Sequence, residues 1–258
     1  MIIPQVSVVI PIYNASPFLD KAVNSALALS EVGEVILVDD GSTDNSYEIC
    51  LSLQDFDSRI KVLFHDGHKN KGASHSRNLG ILNASFPFVA FLDADDIYYP
   101  NRFSESLQIL NSDEKIQGVF GKALRNNLVY KSQKVIGVPS NISSKDLLGY
   151  VLDGGYFHTN TLTVRKSFFN IVGLFNPKLW PGEEVELWIR MAFLKGICPI
   201  QADYPVAEYR IHGNNLSFSG FENSRFAFWV SIFQMIFFKR IGFKNRFIIL
   251  KKLIKSAV

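Results

Sequence analysis

Val6-Ser7-Val8-Val9-Ile10-Pro11-Ile12-Tyr13-Asn14 is one half of a pair. The other is Val35-Ile36-Leu37-Val38-Asp39-Asp40-Gly41-Ser42-Thr43-Asp44. Each begins as an apolar, β-branched run, which reads as a strand buried on both faces. Each ends in polar residues. Between them, Ser16-Pro17 predicts a helix start, with Ser16 as N-cap and Pro17 at the first helical position. Phe18, Leu19, Ala22, Val23, Ala26 and Leu27 supply its apolar face.

The same rhythm extends outward. Ser42-Thr43-Asp44 caps a second helix bearing Ile49, Leu51 and Leu53. Ile60–Phe64 reads as a third strand, 74–84 as a third helix and Phe88–Leu92 as a fourth strand. Pro100 opens a fourth helix running to about Leu110. Such alternation predicts an α/β fold with a mostly parallel, Rossmann-like sheet flanked by helices and joined by right-handed crossovers. Ligands of such sheets bind beyond the carboxyl ends of the strands. After residue 112 the rhythm loosens. Gly118–Ala123, Leu162–Val164 and Ala207–Ile211 read as strands, and Glu183–Lys195 as a helix. Residues 1–221 are expected to be one domain, and 222–258 a helical appendage interrupted near Gly242.

Composition narrows the class. Of 258 residues, 47% are hydrophobic and 20% charged, so the chain folds. The net charge of +3 hides a split: residues 223–258 hold eight basic side chains and no acid, while the first 222 hold 19 basic and 24 acidic groups. Cys50 and Cys198 cannot make a disulfide framework or a four-ligand zinc site, and fit a reducing compartment. The apolar start lacks a basic flank and carries Pro4 and Pro11, a poor secretory signal. The longest apolar run, Phe226–Phe238, falls short of the roughly 20 residues a spanning helix needs.

The acids collect where a parallel sheet binds ligands. The second strand ends in Asp39-Asp40-Gly41-Ser42-Thr43-Asp44, and the fourth in Asp93-Ala94-Asp95-Asp96. Two acids separated by one residue can aim oxygens at one hard cation, Mg²⁺ or Mn²⁺, that shares its remaining positions with phosphates. Asp44 reads as ordinary turn and cap chemistry. No G-x-G-x-x-G follows the first strand, no G-x-x-x-x-G-K-[ST] occurs, and there is no G-x-S-x-G elbow. His65, His68 and His75 lack matching carboxylates, so a histidine metal site there is not expected.

Further blocks follow in order: Asn70-Lys71-Gly72, Ser76-Arg77-Asn78-Leu79-Gly80, Phe91-Leu92-Asp93-Ala94-Asp95-Asp96, Gly173-Leu174-Phe175, Gly182-Glu183-Glu184-Val185-Glu186-Leu187-Trp188-Ile189-Arg190 and Tyr209-Arg210-Ile211-His212. With the two opening runs, this order resembles family 2 glycosyltransferases of the GT-A fold over about residues 5–217. The resemblance implies metal-dependent transfer of a sugar from a nucleoside diphosphate sugar to an acceptor hydroxyl, with inversion. It implies a nucleotide-binding half, 1–112, and an acceptor-side half, 113–221. Pro11, Tyr13 and Asn14 would border the base, with Tyr13 otherwise a rim aromatic. Asp40 would accept from the base, most often uracil, and Asp39 would help at ribose or base. Ala94 lies within the nucleotide-binding run. Arg77 would approach the diphosphate, whose geometry suits a guanidinium, or else form a surface salt bridge.

Asp93 and Asp95 would be the metal-binding pair for Mn²⁺ or Mg²⁺, with His212 completing the metal site or serving structure. Such a cation stabilises charge on the leaving nucleoside diphosphate. Asp96 would assist or cap the next turn. Glu184 stands where the family usually carries an Asp as general base. A Glu is competent, but its extra methylene displaces the carboxylate by about 1 Å, enough to cost about 10²-fold if uncorrected. Glu183 and Glu186 share a helix face and suit a helix start. Trp188 reads as core or acceptor-side wall, and Tyr156, His158, Trp180 and Pro181 are placed on the acceptor side.

Residues 223–258 also hold eight aromatics, and Phe243, Phe247, Leu250 and Ile254 make a helical stripe with Lys244, Lys251 and Lys255 off it. Basic, apolar and short, the segment reads as an interfacial helix on an anionic leaflet rather than a nucleic-acid binder; packing back or dimerising are the alternatives. The expectation is a cytoplasmic enzyme at the inner face of the cell membrane. Its acceptor would be a glycan or lipid-linked glycan in bacterial surface polysaccharide synthesis: capsule, O-antigen or exopolysaccharide. Two competitors remain: a catalytically weak nucleotide-sugar-binding or scaffold subunit, and a sugar nucleotidyltransferase.

Overall fold

The computed structural model describes residues 5–179 and 182–213. The chain runs β1 (Val6–Ile12), α1 (Leu19–Leu27), β2 (Val32–Asp39), α2 (Ser46–Phe56), β3 (Ile60–Phe64), α3 (Ala73–Asn83), β4 (Phe88–Phe91), β5 (Ile97–Tyr98) and α4 (Ser104–Ser112). It continues through β6 (Gly118–Phe120), β7 (Lys122–Asn127), β8 (Ser132–Ile136), α5 (Leu147–Leu152), β9 (Thr163–Arg165), α6 (Phe169–Val172), α7 (Glu183–Phe193), β10 (Ile197–Pro199) and β11 (Pro205–Ile211).

Seven strands form one sheet in the order β10-β6-β9-β4-β1-β2-β3. The pairs β1–β2, β1–β4, β2–β3 and β6–β10 are parallel, and β9 runs antiparallel to β4 and β6. The α/β expectation therefore holds, and the chain has the predicted strand–helix alternation through α4. Successive side chains of a strand point to opposite faces. Val8 and Ile10 accordingly join the core under α1 and α4, while Val9 joins the core under α3, α5 and α7. Ile36, Val38, Val89 and Phe91 follow Val9; Val35, Leu37 and Ala90 follow Val8. Both faces being buried explains why these strands read as unbroken apolar runs.

Several local expectations are corrected. Helix α1 begins at Leu19, not at Pro17. The amides that a Ser16 cap would have served, Phe18 N and Leu19 N, donate instead to the Ala15 carbonyl oxygen (2.9 and 3.1 Å), while Ala15 N donates to Ser46 Oγ (2.9 Å) and Ser16 N to Asp44 Oδ2 (3.1 Å). The turn after β2 thus pins the segment leading into α1, and among the described residues no side chain caps that helix. Asp44 also accepts from Ser46 N (3.0 Å), so its predicted turn role is seen, although α2 starts two residues later, at Ser46. Pro100 lies in a turn and α4 starts at Ser104. The single strand predicted over Gly118–Ala123 is two strands in two sheets, divided at Gly121. A second sheet, β5-β11-β7-β8, was not anticipated. The predicted division near residue 221 and the helical tail lie outside the described residues.

Two glycines show why a side chain is excluded. A Cβ on Gly80 in α3 would overlap Val9 Cγ1 on β1, so the bare backbone lets helix and sheet touch. Gly41 has φ of 73°, and its Cβ would lie 2.6 Å from the His68 carbonyl oxygen.

Candidate active site

The carboxyl ends of β1, β2 and β4 lie side by side, as their pairing requires. Asp39 ends β2. Its Oδ2 accepts from Gly41 N (3.1 Å) and Ser42 N (3.3 Å), while its buried Oδ1 has no partner among the described residues. Asp40 is spent differently. It is 3% exposed, and its two oxygens accept from Lys71 N and Gly72 N, each at 2.8 Å. It therefore anchors the loop before α3, and the acceptor left vacant in this pair is on Asp39. Pro11 is half-buried within β1, and Tyr13 is 43% exposed on the rim. Asn14 adopts a left-handed backbone (φ 50°), and its Oδ1 accepts from Thr43 N (2.8 Å), which fixes the loop after β2.

Beyond β4, Arg77 is the hub. It is 4% exposed, which excludes the surface salt bridge. Its Nη2 meets Asp93 Oδ1 and Glu184 Oε1, each at 2.8 Å, and its Nη1 lies 3.5 Å from Glu183 Oε1. Burial works against its charge, but Glu184, Asp93 and Glu183 outweigh it and hold the proton more tightly than usual. Helix α3 thus brings together acids 16 and more than 100 positions away. Burial, then the charge of Glu184, raises the Glu183 carboxyl above its ordinary value. Glu186 turns away, to Arg190 Nη2 (2.7 Å). Trp188 is fully buried against Phe157 (4.3 Å), which supports the core reading. Trp180 and Pro181 lie outside the described residues.

The acidic loop is braced by groups the sequence reading missed. Asn160 Oδ1 accepts from Asp93 N (2.9 Å), and its Nδ2 donates to Asp96 Oδ2. Arg102, fully buried with no carboxylate partner among the described residues, donates to Asn160 O (2.8 Å), Leu162 O (2.9 Å) and Thr163 Oγ1 (3.0 Å). The rings of Tyr98 and Phe103 cover its guanidinium at 4.9 and 4.6 Å. From β11, Arg210 N donates to Asp96 Oδ1 (2.7 Å), and just beyond it His212 Nε2 lies 3.1 Å from Asp95 Oδ2. Ala94 is buried between the acids. The Tyr209–His212 block signalled this contact; nothing in the pattern around Asn160 or Arg102 marked them.

These acids crowd one another in a buried loop. Burial, then the charge of Asp93, raises the Asp95 carboxyl, with His212 opposing. Burial, then Asp95 and Asp93, raises Asp96 well above its usual range. Donor atoms of Asp93, Asp96 and His158 all lie within 4.8 Å of one another. Carboxylate and imidazole donors suit Mn²⁺ or Mg²⁺. The residues therefore fit a divalent cation, and the crowding gives it a reason to bind. His158 and Asp96 enter this cluster beside Asp93, whereas Asp95 and His212 pair with each other. Buried atoms with no hydrogen-bond partner among the described residues, Asp39 Oδ1, Arg77 Nε, Thr159 Oγ1 and Trp188 Nε1, fall on the same segments. Buried polar groups without partners call for a ligand or water. Of the three clustered histidines, His65 does meet a carboxylate, Asp40 Oδ1 at 3.4 Å, besides Ser76 Oγ (3.0 Å), and His68 stacks on Phe64.

A family model described as glycosyl transferase family 2 matches residues 7–171. The chain belongs to that family. An uncharacterized family glycosyltransferase of Rickettsia conorii is 32% identical over 195 residues, covering 72% of this chain and 31% of that protein. The chain therefore spans about a third of that relative. TuaG of Bacillus subtilis, assigned by name to teichuronic acid biosynthesis, is 28% identical over 215 residues, covering 83% and 82%. Among solved structures, S. aureus TarS 1–349 in complex with UDP-GlcNAc superposes with a TM-score of 0.73 at 16% identity, covering 98% of this chain and 72% of that one. The mannosyltransferase PcManGT of Pyrobaculum calidifontis, in complex with GDP-Man and Mn²⁺, gives 0.66 at 14% identity, covering 98% and 73%. These likenesses establish the GT-A fold. Among the described residues, no helix is long and apolar enough to cross a membrane.

Proposed function

We propose that this family 2 glycosyltransferase moves a sugar from a nucleoside diphosphate sugar, a UDP-sugar first, to an acceptor hydroxyl of a cell-surface polysaccharide. The observation that carries the reading is the convergence of Asp93, Glu183 and Glu184 on Arg77 at the carboxyl edge of the sheet. The TuaG and TarS likenesses support the polysaccharide and UDP parts of the reading.

Glu184, on the first turn of α7 and 24% exposed, is the base. Its carboxylate takes the acceptor's hydroxyl proton, and the oxygen attacks the anomeric carbon opposite the leaving diphosphate, which inverts that centre. Pro11 and Tyr13 border the nucleobase, Asn14 holds the loop beside it, Asp39 takes a donor hydrogen bond from the nucleoside, and Asp40 keeps that loop in place. Asp93 and Asp95, with Asp96, His158 and His212 beside them, would hold Mn²⁺ or Mg²⁺, which would supply positive charge for the departing diphosphate. Arg77 places the base and the metal-side acid a fixed distance apart. Tyr156, edge-on to Trp188 of α7 (5.6 Å), supports the acceptor side. Residues 223–258 bring the protein to an anionic membrane surface, where a lipid-linked acceptor resides.

The Arg77–Glu184 ion pair also favours a second reading, a donor-binding subunit with little turnover, because it occupies the base. Incubation with Mn²⁺ and a panel of nucleoside diphosphate sugars separates them. Transfer to water at a measurable rate, lost on chelation, supports catalysis. Tight metal-dependent binding without turnover supports the second reading.

A further inference from the structure

The hairpin of β7 and β8 ends in an apolar tip. Leu128, Val129 and Tyr130 are 46%, 56% and 81% exposed. Hairpin tips normally hold Gly, Asn, Asp or Ser, because these residues satisfy turn geometry and water. This turn is nonetheless well built. Asn127 Oδ1 accepts from Val129 N (3.1 Å) and Tyr130 N (2.9 Å), and Lys131 closes it in a left-handed conformation (φ 48°). Three apolar side chains are thereby held outward together.

Their surroundings are basic. Residues 122–136 contain Lys122, Arg125, Lys131 and Lys134 and no acid. Lys122 pairs with Asp203, whereas Arg125, Lys131 and Lys134 are exposed and have no ion pair among the described residues. The tip also lies against the end of β11. Leu128 N donates to Ile211 O (2.9 Å), and the next residue, His212, reaches Asp95. The tip thus lies two residues from Gly213, where the described chain ends.

We propose that the β7–β8 tip is a membrane-contacting element, with Leu128, Val129 and Tyr130 entering the headgroup layer of an anionic bilayer. Charge selects this occupant. The chain beyond residue 222 is itself basic, with eight cationic side chains and no acid, so packing on the hairpin would set like charges together. A second copy of the hairpin would do the same. An anionic surface balances both segments at once. Tyrosine beside Lys is also the composition of membrane interfaces. The location ties contact to chemistry, since the tip is one strand end from the acidic loop. The proposal draws on the proposed lipid-linked acceptor for its purpose, but binding is measured without sugar transfer, so either reading can fail alone.

The test is vesicle flotation of the full chain, with phosphatidylcholine alone or mixed with phosphatidylglycerol. The expected result is flotation with the anionic vesicles only. Leu128→Ser/Val129→Ser/Tyr130→Ser and, separately, Lys131→Glu/Lys134→Glu should each lower the partition coefficient about tenfold. Donor hydrolysis in solution should stay at the parent rate. Tyr130→Trp should add blue-shifted emission, quenched by brominated lipid, beyond that of the parent chain. Partitioning unchanged in both multiple variants, or an added indole that stays solvent-like and unquenched, would overturn the proposal. So would a change in oligomeric mass caused by the tip substitutions without vesicles, which would make the tip a protein interface.

Discussion

Arg77 Nη2 lies 2.8 Å from Asp93 Oδ1 and 2.8 Å from Glu184 Oε1. One nitrogen on α3 therefore joins the acidic loop after β4 to the first turn of α7. The two acids belong to opposite halves of the chain and to different proposed duties. With 4% exposure, the guanidinium cannot trade these partners for water.

Removal of that cation leaves three carboxylates facing one another. Arg77→Met should lower the unfolding free energy by about 3 kcal/mol or more, since an uncompensated buried charge is costly. Urea unfolding checks this. A loss under about 1 kcal/mol would be the value of an exposed pair and would contradict the buried bridge.

Asn160 holds Asp93 by its backbone and Asp96 by its side chain. Outer groups of this kind typically tune metal affinity by about 10–100-fold. Asn160→Ala should weaken Mn²⁺ binding by that order, as read by electron paramagnetic resonance of free Mn²⁺. Unchanged affinity would mean that the acidic loop orders itself.

His65 makes the fold sensitive to mild acid. Burial lowers its pKa below the ordinary 6.5, with Asp40 opposing. Because the folded value is depressed, its contribution is intact above 6.5 and is lost as pH falls through the folded value. His65→Gln should therefore flatten the fall in Tm between about pH 7 and pH 5. A parallel slope in parent and variant would assign the acid sensitivity elsewhere.

Gly80→Ala drives a methyl into Val9. Overpacking of this kind costs about 1–3 kcal/mol, and Val9→Ala in the same chain should recover part of it. Thermal unfolding of the single and double variants reads both effects.

Much of the fold was legible because β1, β2 and β4 are buried on both faces, which leaves long apolar runs. The acids at their ends were legible for the same topological reason. The second sheet was not. Ser132–Ile136 is exposed or half-exposed and carries no apolar run, and Gly118–Ala123 hides a change of sheet at Gly121. The Ser16 cap failed because the Ala15 carbonyl takes the amides of Phe18 and Leu19. Asn160 and Arg102 act through contacts between residues about 60 apart, which no local pattern reports. Asp40 looked like a ligand contact in sequence, and its loop-anchoring bonds emerge only when Lys71 and Gly72 fold against it.

The central claim is that Glu184 removes the proton in a metal-dependent sugar transfer. The direct measurement is single-turnover release of nucleoside diphosphate from a bound UDP-sugar, with Mn²⁺, by the parent chain and Glu184→Gln. The account predicts donor affinity within about threefold and a rate at least about 10²-fold lower in the variant. Equal rates in the two proteins would contradict it.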